Sequence, residues 1–74
     1  MNVGDVVAYC AMTDFYRPAA VVEIFEDGLL GLRLYDSVTK LGDEMSGNFW
    51  EVAPVQEGDG IGEWLPKEEV WPTN

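Results

Sequence analysis

Residues 16–36 read "YRPAAVVEIFEDGLLGLRLYD". Apolar residues alternate on both sides of the Glu26-Asp27-Gly28 triplet, the pattern of two strands joined by a tight turn. Gly28 can take the positive φ such a turn needs. Pro18 has no N–H for a sheet ladder, so the second strand is expected to begin at or just after it. On the first arm Ala20, Val22 and Ile24 share a face. Ala19, Val21, Glu23 and Phe25 share the other, where Glu23 needs water, so the first set is assigned to the core. On the second arm Leu30, Leu32 and Leu34 continue the core face. Leu29, Gly31, Arg33 and Tyr35 point away, and Glu23 would pair with Arg33 if the register allows.

The rest of the chain extends this frame. "VGDVVAYCA" (3–11) is a first strand with both faces apolar: Val7 and Tyr9 on one, Val6, Ala8 and Cys10 on the other. "MTDFY" (12–16) connects it to the hairpin. "FWEVA" (49–53) and "EWLP" (63–66) are a fourth and a short fifth strand, and 37–48 and 54–62 are loops. "PKEEVW" (66–71) suits one helical turn, with Pro at its start and Glu near its positive end. Short strands, Gly-rich turns and almost no helix predict an all-β, five-stranded, strongly bent antiparallel barrel. It forms a single domain over 1–74, with 67–74 as a loosely packed tail. A two-sheet sandwich usually needs about 100 residues.

Composition limits the chemistry. A 74-residue chain buries only about 60% of the surface it exposes when unfolded, so its core is marginal. Cys10 is the one cysteine and there is no histidine, which removes disulfides, structural zinc and His-assisted nucleophiles. Inside an apolar strand, Cys10 reads as inert core. A lone thiol without a leader-like start fits a cytoplasmic setting, and no apolar run approaches the roughly 20 residues that span a bilayer. "DE" at 43–44 and "EGDG" at 57–60 lack the calcium-loop spacing. No cofactor, metal or enzymatic activity is expected.

Fourteen acids against four bases give a net charge of −10. Such a surface repels phosphates and anionic lipids, so direct nucleic-acid and membrane binding are not expected. It suits either solubility or a basic surface on a protein partner. The candidate contact residues are Phe15, Tyr16, Tyr35 and Asp36 at the hairpin mouth, with Asp43, Glu44, Glu57, Asp59 and Trp71. Tyr9, Tyr16 and Tyr35, beside Asp14 and Asp36, either form a cage for a cation or are core, with Tyr9 and Phe15 plugging the barrel end. Trp71 either anchors a partner or folds back on the core. A homo-oligomer or docking on a larger assembly would add stability.

Two resemblances follow from these residues. Gly4, Val6 or Val7, Ala8, Tyr16, Arg17 and Tyr35-Asp36 occupy places like those of Gly-x-x-Val-x-Ala, Tyr-Arg-Ala and Asp-Tyr-Gly in Tudor domains. Over about half the chain it thus resembles these small barrels of the Src-homology-three type. The resemblance implies a reader of cationic or methylated side chains, with Tyr9, Tyr16 and Tyr35 as the residues to test. More of the chain is similar to small uncharacterised proteins of tailed bacteriophages. Arg17-Pro18-Ala19, Asp27-Gly28, and Gly62, Trp64, Pro66 and Glu68 carry that likeness. It implies a phage-encoded protein, either one that binds and modulates a host protein in the cytoplasm, as an inhibitor or nucleic-acid mimic, or a virion component.

Overall fold

The computed structural model describes residues 1–38 and 44–72. The elements in chain order are β1 (Val6–Met12), β2 (Phe15–Ile24), β3 (Leu30–Val38), β4 (Met45–Val55), β5 (Trp64–Pro66) and a single helical turn, α1 (Lys67–Val70). The five strands form one antiparallel sheet in the order β4-β3-β2-β1-β5. The hairpin at 26–28 forms as its sequence predicts. Phe25 N donates to Leu29 O at 2.8 Å, and Gly28 has φ of 86°, a conformation that costs a residue without a Cβ little. Leu30, Leu32 and Leu34 are almost fully buried and pack with Val7, Ala19, Val21, Val55 and Trp64.

The core face of β2 is the reverse of the expected one. Ala19 and Val21 are buried, whereas Ala20 and Val22 are half-buried and Ile24 is exposed. A bulge explains this. Val21 pairs with Leu32 but Glu23 pairs with Gly31, so β2 advances two residues while β3 advances one. The extra residue, Val22, inverts the alternation. Val21 can then face inward although Glu23, two residues on, faces out. The same shift separates Glu23 from Arg33, which pairs instead with Glu51 across β3 and β4, at 2.7 Å. β2 also starts earlier than expected, at Phe15, with Pro18 opposite Ala8. The β2–β3 ladder covers only Ala20 to Ile24 on β2, so Pro18 withholds its N–H where β2 has no ladder to β3.

The sheet is curled but not closed, which corrects the expected barrel. Val55 and Trp64, on strands at opposite edges, share one core cluster. The edges meet at one end, where Trp64 N donates to Gln56 O at 3.1 Å and Gly58 N to Trp64 O at 2.9 Å. β5 has three residues and β4 has eleven, so β5 cannot span its neighbour. Much of the expected 37–48 loop is strand: β3 runs to Val38 and β4 starts at Met45.

β1 is covered on both faces, as its sequence requires. Ala8 and Cys10 are buried but lie outside the main cluster. The segment before β5 lies along Cys10: Cys10 N donates to Glu63 O and Gly62 N to Cys10 O, both at 2.9 Å. α1 contacts β1 and β5, Trp71 N donates to Lys67 O at 2.7 Å, and Val70 and Trp71 are half-buried.

Candidate functional site

The β1–β2 turn and the loop before β5 bring several candidate residues together. Met12 pairs with Phe15, leaving Thr13-Asp14 as the turn, and Asp14 takes φ of 60°, which Asp tolerates better than most residues. Phe15 is 49% exposed beside Met12. Tyr16 lies opposite Cys10 and its hydroxyl donates to Asp59 O at 3.5 Å. Desolvation raises the Tyr16 phenol above its ordinary pKa, and Cys10, Asp59 and Asp14 add to the shift. Glu63 holds the loop in place: its carboxylate accepts from Gln56 Nε2 and Gly60 N, both at 2.8 Å. The result is an exposed tip of Met12, Phe15 and Ile61 rimmed by Asp14 and Asp59, with the exposed Glu57 on the same loop.

A second surface is built on β3 and β4. Tyr35 and Phe49 pair across the strands, with ring centroids 5.9 Å apart. The Arg33 guanidinium lies 4.3 Å from the centroid of the Phe49 ring while it holds Glu51. On the opposite face of β4, Trp50 receives Arg17, 5.7 Å from its centroid. Arg17 Nη2 also donates to Tyr35 O at 2.7 Å. Arg17 Nε and Trp64 Nε1 are buried without a protein partner, and Tyr9 pairs with both residues across β1's two neighbours. Phe49 and Trp50 are 54% and 45% exposed.

Set against protein-family models, curated proteins and solved structures, the chain matches none.

The tip thus unites Phe15, Tyr16 and Asp59, with Glu57 elsewhere on the same loop beside Trp64, while Tyr35 and Asp36 belong to the β3–β4 surface. Glu44 is exposed just before β4 and Trp71 is half-buried after α1; Asp43 lies outside the described residues. Tyr9, Tyr16 and Tyr35 do not make a cage. Tyr9 packs on the core cluster, and Tyr35–Phe49 is the one ring pair among the described residues. Sequence reasoning placed Asp14 beside the aromatic residues but passed over Met12 and Ile61 at the tip, and Arg17, Phe49 and Trp50 at β4. The adjacent Phe49-Trp50 was the available signal, because neighbouring strand residues point to opposite faces.

Two surface hollows, of about 270 and 280 Å³, are lined by Met1, Asp5, Pro66 and Lys67 and by Phe25, Leu29, Ala53 and Pro54 respectively. Both fall just below the usual range for small-molecule sites. Among the described residues no group of three or more potential metal ligands converges. No helix among them is long and apolar enough to cross a membrane.

Proposed function

We propose that this chain is a non-enzymatic protein-binding module that holds a basic partner on the β1–β2 tip and the adjoining 57–62 loop. The observation that carries the reading is the docking of the 59–63 segment on the β1–β2 tip, through 2.9 Å backbone bonds from Cys10 N to Glu63 O and from Gly62 N to Cys10 O and a longer, 3.5 Å contact of the Tyr16 hydroxyl with Asp59 O. It joins segments distant in the chain into one surface where apolar side chains stand among carboxylates. Apolar contact would supply affinity, and the acids would supply steering and choice of partner. Pairing all four bases one-to-one would still leave ten of the fourteen acids uncompensated, so the field at the tip is negative. The strand order and the one-ended meeting of β4 and β5 support a bent sheet of the Src-homology-three type. A phage origin would make the partner a host protein, modulated by occupying a surface that otherwise meets nucleic acid.

Affinity capture from a bacterial lysate, read by mass spectrometry at low and high salt, tests this. The wild-type chain should hold a basic protein that Phe15→Ala and the double variant Asp14→Asn, Asp59→Asn release. Added salt should release it too, because exposed charges are screened over about 10 Å at 0.1 M. A complex indifferent to salt and to all three substitutions would refute the assignment.

A further inference from the structure

β4 has eleven residues and closes one edge of the sheet, hydrogen-bonded to β3 alone. Ser46 to Glu51 are all exposed. Exposed edges are usually blunted by lysine, proline or inward-pointing charge. β4 carries Pro54 near its end and register shifts on either side of its middle, but over the regularly paired residues 49–52 there is no lysine and no proline, and the one charge, Glu51, is held by Arg33. The strip is thus close to neutral in a chain of net charge −10. Two copies repel each other through their net charge, and this strip adds little to that repulsion.

We propose that β4 pairs antiparallel with β4 of a second copy, extending the two sheets into one across a two-fold axis. Such an interface is self-complementary. Directly opposed residues share a face, so the axis must pass through a residue position and set that residue against its own mate. With Trp50 opposite Trp50, Phe49 of each copy faces Glu51 of the other. Arg33 lies over Phe49, so each Arg33 then reaches the second copy's Glu51. The intrachain ion pair becomes a four-membered network of alternating sign. With Phe49 opposite Phe49, Glu51 would face Gly47 and that network would be lost, so the Trp50 register is the one assigned.

Light scattering across a concentration series tests the proposal. Wild type should reach twice the 8.2 kDa chain mass, and added salt should strengthen the dimer by screening the remaining repulsion. Arg33→Glu and Glu51→Arg should each leave monomers, since like charges would oppose across the axis. Mixing the two variants should restore a dimer, because the mixed pair sets opposite charges against each other at both contacts. A wild-type monomer at millimolar concentration, or a mixture of folded variants that stays monomeric, would overturn the assignment. Should either variant fail to fold, hydrogen exchange on wild type decides. Amides from 46 to 52 should exchange faster on dilution, and protection independent of concentration would overturn it.

Discussion

β1 and β4 are both rich in apolar residues, yet they have opposite fates. β1 is paired on both sides, and its Val7, Ala8 and Cys10 are at most 1% exposed. β4 is longer but has one neighbour, and only Val55, at its far end, is buried. Phe-Trp-Glu-Val-Ala is less apolar than Val-Val-Ala-Tyr-Cys because of Glu51, yet Phe49, Trp50 and Ala53 are exposed as well, so the charge alone does not explain this. Position in the sheet does. A strand between two neighbours is shielded by both, whereas an edge strand on a chain this small runs beyond the core and presents its side chains on both faces.

The sharpest way to break this comparison uses one residue type in both regions. Trp64 is 6% exposed in the core and Trp50 is 45% exposed on β4. Trp64→Ala should cost about 3–5 kcal/mol through lost burial and the cavity left behind. That is a large share of the roughly 5–15 kcal/mol that holds a typical domain folded. Trp50→Ala should cost about 1 kcal/mol, the scale of its contact with Arg17 plus partial burial. Urea unfolding of the two variants measures both. Equal losses would make β4 part of the cooperative core and end the distinction.

Much of the frame was legible because it is local. The Glu26-Asp27-Gly28 turn, the Leu30-Leu32-Leu34 face and the single helical turn after Pro66 each rest on neighbouring residues. Three features were not. The bulge at Val22 is set by pairing with β3, and period-two reading assumes no extra residue, so it placed Ala20 and Val22 inside instead of Ala19 and Val21. The open edge depends on β5 being too short to cover β4, which no single segment states. The tip depends on the 59–63 segment meeting Cys10 and Tyr16, a contact between distant segments that alternation cannot encode. Phe15, Tyr16 and Asp59 were legible as exposed aromatic and acidic residues, but their adjacency was not.

A smaller effect should come from the register shift within β4. Gly47 has φ of 86°, at the register shift between Tyr35 and Ser37 on β3. A Cβ there would be strained and would collide with the Asp36 carboxylate. Gly47→Ala should therefore destabilise by about 1–3 kcal/mol and loosen the Tyr35–Phe49 contact, visible as altered aromatic chemical shifts. Asp36→Ala in that background should recover part of the loss by removing the collision while the backbone strain remains. Full recovery would mean that φ at Gly47 is not under strain, and no recovery would mean that the Asp36 contact is irrelevant.

The smallest effect belongs to the tip and appears only in alkali. Tyr16 has a folded-state pKa raised above the ordinary 10.0, first by desolvation, then by Cys10, Asp59 and Asp14. A raised acid favours its neutral form in the folded state. Its stabilising contribution is complete below the unfolded pKa and is lost as pH rises through the folded one. Alkaline unfolding followed by circular dichroism should therefore move to higher pH in Tyr16→Phe, which has no phenol to ionise. Asp59→Asn should lower the Tyr16 pKa only part-way, because desolvation is the larger cause and remains. A phenol that returns fully to its ordinary value in Asp59→Asn would show that charge, and not desolvation, sets the chemistry of the tip.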